Sequence, residues 1–339
     1  MSSTATTAAP RSQGHRGGHG SGRMRVGFVG LGNLGRQLAG RLLSAGFPLT
    51  VYDRDETTAQ PLVAAGARWV HSPCAVGRAS DCVLTCLPSP QAVAEVVCRS
   101  GSGLLDGMTP GATWIDASTN DPTELRRVAA LADAVGVHCL EAPVTGGVHL
   151  AAAGRVTVLV GGEQPVFESH RRVFEAIGCR IFYLGPLGSA STMKVITNML
   201  AFTHLVAAGE ALMLARRAGL DLGMAFEAIR ASSGNSFVHE TESQVILNGS
   251  YDIGFTLDLA CKDLGFAHEL GREHRVPLEV TALVEQIFTR AREQYGGSAW
   301  SPMVVKLLED ALRTDLRAPG FPSTIEAQRE DGDDAPGCA

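Results

Sequence analysis

Charge is scarce in this chain. Asp, Glu, Lys and Arg make up 19% of its 339 residues, against 45% hydrophobic. The 29 basic and 35 acidic side chains nearly cancel, leaving a formal charge of −6. No basic field exists to draw in nucleic acid or an anionic membrane. The 8 cysteines, at 74, 82, 86, 98, 139, 179, 261 and 338, form no Cys-x-x-Cys and no Cys/His group at zinc-ligand spacing. That excludes a zinc ribbon or finger and a disulfide-stapled small domain. Scattered thiols in apolar context read as reduced core residues of a cytoplasmic protein, and no metal is expected. No run of about 18 uncharged apolar residues occurs, so no membrane span is expected. The most apolar long stretch, 199–215, is interrupted by His204 and Glu210.

What is plentiful is glycine, at 39 residues, together with apolar side chains enough for a full core. At about 100–200 residues per domain, the length fits two domains. Residues 1–23 carry three arginines, no acid and almost no large apolar side chain. They lack the apolar middle of a secretory signal and the amphipathic face of a transit peptide, and read as a disordered tail. Residues 317–339, with two arginines against five acids, read as a second, acidic tail.

Between the tails, short β-branched runs alternate with helical patterns. Strands are expected over 25–29, 48–53, 82–87, 113–116, 137–141, 156–160 and 180–183. Helices are expected over 33–45, 57–65, 91–99, 122–135 and 165–176. Strands separated by helices of this length imply crossover connections and a doubly wound, mostly parallel sheet. The pattern changes after Gly188. From 189 to 217 there is no proline, a serine opens the segment and Gly219 follows it, as helix caps do. That predicts a helix of about 40 Å at 1.5 Å per residue. Further helices are expected over 223–231, 238–248, 256–273, 279–295 and 300–312. The fold class is therefore α/β, with an N-terminal dinucleotide-type domain (24–186) followed by an all-α domain (187–316) led by a long inter-domain helix. A cleft is expected between them.

The first expected strand runs into Gly30-Leu31-Gly32-Asn33-Leu34-Gly35, which opens a helix. In that context G-x-G-x-x-G is a dinucleotide-binding signal. Gly30 permits the tight turn, Gly32 lets the backbone approach a pyrophosphate, and Gly35 lets the helix pack on the strand. The helix N-terminus stabilises the phosphates. Asp53, at the end of the second strand, can bind a ribose 2′-hydroxyl and repel a 2′-phosphate, which favours NAD. Arg54 and Arg36 leave NADP open, because an arginine there can accept that phosphate.

Three further features could carry hydride-transfer chemistry. Ser118 and Thr119 follow a strand end, where ligands lie in open α/β sheets. Their hydroxyls can bind nicotinamide ribose or substrate, or simply cap the helix at Pro122. Thr145-Gly146-Gly147 can form a nest of exposed backbone N–H groups for a carboxylate or an oxyanion, or a plain turn. Lys194 and Asn198 lie four apart, on one face of the long helix. Desolvation and a cationic nicotinamide would both lower the lysine pKa toward that of a general acid/base, whereas most lysines are solvated surface charges. Tyr52, Tyr183, Tyr251 and Tyr295 all lack a lysine four residues on, which argues against the short-chain reductase pair.

Together these motifs resemble the β-hydroxyacid dehydrogenases, the group of 3-hydroxyisobutyrate dehydrogenase and tartronate semialdehyde reductase. The resemblance covers about 24–316. It rests on the Gly30–Gly35 loop, Asp116–Thr119 with Pro122, the 142–147 segment continued to Gly154 and Val160-Gly161-Gly162, the Gly188-x5-Lys194-x3-Asn198 helix start, and Lys262-Asp263-Leu264. It implies a Rossmann domain and a helical domain that helps form homodimers or homotetramers. It further implies Lys194 as catalytic acid/base, with Asn198 orienting it. Thr145, Gly146 and Gly147 would hold the substrate carboxylate, with Ser118 nearby. Leu87, Pro88 and Thr119 would line the cofactor site, Lys262 would close over it, and Phe255 and Phe237 would shape the pocket. Thr145 replaces the usual serine, Thr197 the first of two asparagines, and Phe237 a usual tryptophan; these departures bear on the substrate. The activity so implied is NAD(P)-dependent oxidation of a small 3-hydroxy acid to its semialdehyde. The rivals are an imine reductase and a silent cofactor-binding interaction module, both of which typically lack the lysine.

Overall fold

The computed structural model describes residues 23–325. The expected tails fall outside it over 1–22 and 326–339, as does Cys338. Nine strands form one sheet: β1 (Val26–Val29), β2 (Leu49–Tyr52), β3 (Arg68–Trp69), β4 (Cys82–Thr85), β5 (Thr113–Asp116), β6 (His138–Glu141), β7 (Val144–Thr145), β8 (Val156–Gly162) and β9 (Gly178–Tyr183). The order is β3-β2-β1-β4-β5-β6-β8-β7, with β9 beside β8. The first six strands are parallel, and β8 runs antiparallel to β6. β1, β4 and β5 are buried along their whole length, as strands covered by helices on both faces must be. Two apolar clusters fill the faces of the sheet, and a third forms the centre of the helical domain.

Short polar-proline pairs start the crossover helices. Ser72, Ser89 and Asp121 each accept a hydrogen bond from a first-turn N–H, and proline follows each at the first helical position. Proline there costs nothing, because that N–H has no intrahelical partner. The strand order reverses between β1 and β4, the point where such sheets open a ligand crevice. Register sets the floor of that crevice. Val29 pairs with Thr85, Thr85 with Asp116, and Asp116 with Glu141, so four strands end level.

The long helix spans Ser189–Arg217 as expected. Helices Leu222–Arg230, Phe237–Asn248, Leu257–His274, Glu279–Tyr295 and Lys306–Leu312 pack after it. Glu141, at the end of β6, accepts from the backbone N–H groups of Gly188 (2.6 Å), Ala190 (2.9 Å) and Ser191 (2.9 Å), and from the Ser191 hydroxyl. One carboxylate thus anchors the inter-domain helix to the sheet edge and complements its positive N-terminus. A Cβ on Gly161 would collide with this carboxylate, which accounts for glycine there.

Several local expectations need correction. Residues 73–79 and 147–153 form helices that the sequence pattern does not assign. The expected helix 165–176 is two helices broken at His170, and 300–312 is a 3-10 turn followed by a shorter helix. The acidic tail does not start at 317. The Arg317 guanidinium donates to Ile246 O (2.9 Å) and Glu309 (3.0 Å), and Phe321 packs edge-on against Phe226. These contacts partly cover Ala318 and Phe321, and the acids of the segment come only after them.

Candidate active site

A cavity of about 630 Å³ lies between the C-terminal edge of the sheet and the helical domain. The glycine loop forms one end. Gly30 has φ +97°, which only glycine adopts without strain, and a Cβ on Gly35 would strike the Gly30 carbonyl. Gly32 is different: a Cβ there would meet nothing within 4 Å. Its missing side chain is therefore not required by the protein's own packing, and the open space suits a pyrophosphate. Leu31 turns its side chain into the core, and its N–H donates to Asp53 Oδ2 at 2.6 Å. Asp53 Oδ1 accepts from the Asp55 N–H at 3.0 Å. The acid is thus held at the loop, on the cavity wall with Asn33, Leu34 and Arg54. Arg36 is exposed and does not line the cavity.

Leu87, Pro88, Ser118 and Thr119 continue the wall from the ends of β4 and β5. Beneath them, buried Asp116 accepts from Thr85 (2.9 Å), the Ser118 N–H (3.1 Å) and Asn120 (2.8 Å). Burial pushes its carboxyl up, and these hydrogen bonds oppose the shift. The Ser118 hydroxyl accepts from the Leu87 N–H at 2.9 Å, so the two cavity segments are tied together. Neither Ser118 nor Thr119 caps the next helix; Asp121 does. Thr145 ends β7, and Gly146 (φ +122°) and Gly147 (φ +83°) then turn the backbone into helix Gly147–Ala153. All three line the cavity.

Lys194 and Asn198 face the same cavity from the long helix, both on its buried side. Lys194 is 9% exposed, so it is not a solvated surface charge. Its Nζ donates to Asn198 Oδ1 at 2.9 Å, and Asn198 Nδ2 donates to Asp263 Oδ2 at 2.6 Å. Desolvation lowers the ammonium to about 8, opposed by the Asp263 carboxylate and assisted by Lys262. Lys262 donates to Thr119 O at 3.1 Å, and Asn33 donates to Gly254 O at 3.3 Å. Both bonds cross the cleft. Phe255 stacks on Phe202 at 6.0 Å, and Phe237, half exposed, stacks on His149 at 6.4 Å across the mouth.

The cavity also contains residues not singled out from the sequence for a role. Asp263 was visible only as part of a motif. His149, Glu242 and Ile325 carried no local signal, since each reaches the cavity only through tertiary packing. Among the described residues, no cluster of His, Cys, Asp or Glu could hold a metal.

A dinucleotide cradle facing a desolvated lysine defines a nicotinamide-dependent oxidoreductase, and comparison with known proteins narrows the class. Residues 25–185 match the family model described as the NAD binding domain of 6-phosphogluconate dehydrogenase. Residues 188–308 match that of the NAD-binding region of NADP-dependent 3-hydroxyisobutyrate dehydrogenase. A 2-(hydroxymethyl)glutarate dehydrogenase from Eubacterium barkeri is 34% identical, over 84% of this chain and 95% of that protein. An NAD-dependent L-serine dehydrogenase from Pseudomonas aeruginosa is 36% identical, over 72% of this chain and 84% of that one. The crystal structure of a 3-hydroxyisobutyrate dehydrogenase from Salmonella typhimurium superposes with a TM-score of 0.78 at 29% identity, covering 84% and 99% of the two chains. Some imine reductases share the fold, at 16–20% identity. The chain belongs to the β-hydroxyacid dehydrogenase family, NAD(P)-dependent oxidoreductases acting on small hydroxy acids.

Proposed function

We propose that the chain reversibly oxidises a small 3-hydroxy acid to its semialdehyde, with Lys194 as the general acid/base. The observation that carries this reading is the buried Lys194, held by Asn198 inside the cavity and lowered to about 8. A base poised near neutrality is what proton transfer from an alcohol requires. NAD(P)+ bound along the Gly30–Gly35 cradle supplies the hydride acceptor. The Thr145 hydroxyl and the Gly146 and Gly147 N–H groups hold the substrate carboxylate, with Ser118 beside them. That contact sets the alcohol against Lys194. The neutral Nζ takes the hydroxyl proton as the carbinol C–H bond breaks and the carbonyl forms. In reduction, the ammonium returns that proton to the forming alkoxide. Lys262 and Asn33 keep the cleft closed across its two walls, and Phe255 and Phe237 bound the substrate end.

The Asp53 carboxylate supports NAD over NADP, by repulsion of a 2′-phosphate. Met193, Ile196 and Leu200, 38%, 39% and 47% exposed at helical spacing along the long helix, support a homodimer or homotetramer built on that face. The free thiols of Cys74, Cys82, Cys86, Cys98, Cys139 and Cys261 support a reducing compartment such as the cytoplasm. Relatives named for 3-hydroxyisobutyrate, serine and 2-(hydroxymethyl)glutarate define the panel to test. Nicotinamide absorbance, followed with each acid and with NAD and NADP in turn, should rise for at least one pair. A protein that binds cofactor but reduces only cyclic imines would overturn the assignment.

A further inference from the structure

Glu242 stands out within the cavity. It lies on helix Phe237–Asn248, one turn after Val238 and beside Thr241, and all three line the cavity that Lys194 faces. Its Oε2 is sealed from solvent and has no hydrogen-bond partner among the described residues. Asp263 Oδ1 in the same cavity also has no hydrogen-bond partner among the described residues, but Lys262 Nζ lies 3.2 Å from it and Asn198 donates to its other oxygen. Three further buried acids are answered from within. Glu141 accepts four hydrogen bonds, Asp116 three, and Glu309 pairs with Arg317. Burial alone pushes the Glu242 carboxyl up to about 8, with no cation to offset it. A buried polar atom without a partner is costly in a native fold and calls for an explanation. At the wall of a ligand cavity, the natural one is that its partner arrives with the ligand.

The rest of the cavity supplies the opposite polarity. Lys262, the Thr145 hydroxyl and the Gly146–Gly147 backbone suit a carboxylate. A lone acid on the helical wall of the same cavity suits a cation and, at pH above about 8 where it is ionised, repels a second carboxylate of a substrate. We infer that Glu242 is a specificity-determining residue that selects hydroxy acids carrying an ammonium group, the 2-amino-3-hydroxy acid class, and turns away dicarboxylic ones. This inference rests on the dehydrogenase reading above and names the substrate class of that same site. Ammonium binding would draw the carboxyl into its ionised form, completing a desolvated ion pair.

The test uses the full-length protein and its Glu242→Gln variant, which keeps shape and removes charge. Three probes are compared with NAD: L-serine, 3-hydroxypropionate (the same acid without the amino group) and 2-(hydroxymethyl)glutarate. Wild type should favour serine, and Glu242→Gln should lower the serine-to-hydroxypropionate ratio of kcat/KM by about 30-fold or more. That is the lower end expected for removing one partner of a buried charge pair. The loss should fall mainly on KM for serine, while 3-hydroxypropionate changes little and the dicarboxylate improves. An unchanged ratio would overturn the inference and leave the dehydrogenase reading standing. Serine binding is measured separately, as the rise in melting temperature of the protein with NADH present. Serine stabilisation in wild type, lost in Glu242→Gln, supports the inference even if no acid is oxidised, in which case the dehydrogenase reading alone fails. Absent or equal stabilisation in both proteins overturns it.

Discussion

Asn198 and Asp263, from helices far apart in sequence, are joined by a 2.6 Å hydrogen bond inside the cavity. Because the amide donates to Asp263, its oxygen faces Lys194 and accepts from Nζ at 2.9 Å. The lysine is thus held by a neutral acceptor, with the carboxylate one residue removed. A direct ion pair would keep the ammonium charged, whereas this relay leaves desolvation the dominant influence.

The pH dependence follows from that arrangement. Lys194 lies at about 8, below its ordinary 10.5. Oxidation needs the neutral amine, so kcat for oxidation should rise with pH through about 8 and then level off. Reduction needs the ammonium, so its kcat should fall over the same range. Asp263→Asn retains an acceptor for Asn198 but removes the charge that favours the ammonium, so both limbs should move to lower pH. Initial rates across pH in both directions check this; limbs that stay in place would place the titrating group elsewhere.

Asp53 should decide the cofactor. Its Oδ2 also holds the Leu31 N–H at 2.6 Å, so Asp53→Asn removes charge while keeping an acceptor. The NADP-to-NAD ratio of kcat/KM should rise by about tenfold or more, since like charges brought together cost several kcal/mol. An unchanged ratio would put the selectivity in Arg54 or elsewhere.

Two glycines of the cofactor loop should respond differently to alanine. Gly32→Ala meets no neighbour, so its melting temperature should match wild type while cofactor Kd rises. Gly35→Ala drives a methyl into the Gly30 carbonyl, so it should lose about 1–3 kcal/mol of stability, the usual cost of overpacking. Denaturant titrations and cofactor fluorescence separate the two effects.

Glu141 should matter for stability before chemistry. Glu141→Ala strands the buried N–H groups of Gly188, Ala190 and Ser191 at the start of the long helix. A loss of at least about 2 kcal/mol is expected, since each unpaired buried group costs about 1–3 kcal/mol. Turnover should fall with it, because the helix that carries Lys194 loses its anchor. Urea unfolding monitored by circular dichroism measures the first effect.

Much of this site was legible in the chain because its residues sit in local motifs. Gly30–Gly35, Thr145–Gly147 and Lys194/Asn198 each follow a strand end or a helix start, where short-range spacing dictates geometry. The long helix was legible from its lack of proline and from Gly219 beyond its end, but the opening serine does not cap it. Gly188 is the N-cap without a side-chain bond, and Glu141, distant in sequence, takes the first N–H groups. What escaped notice depends on contacts distant in sequence. Glu242 reads as an ordinary acid on a helix, and only the packing of Phe237–Asn248 beside the long helix turns it inward. β7 is two residues long and exists only through pairing with β8. Helix Pro73–Ala79 was missed although Ser72-Pro73 is a start signal, because seven residues give little periodicity. Residues 317–325 look like a tail by composition, yet Arg317 finds its acid, Glu309, eight residues back.

The central claim is that Lys194 transfers the proton, and Lys194→Ala tests it most directly. With the acid that wild type oxidises best, kcat should fall about 10²–10⁴-fold, the scale for removing a general acid/base. Cofactor affinity, read from NADH fluorescence, should stay within about twofold, because the cradle lies on other elements. Near-normal turnover by Lys194→Ala would contradict the account and assign the proton transfer to another group.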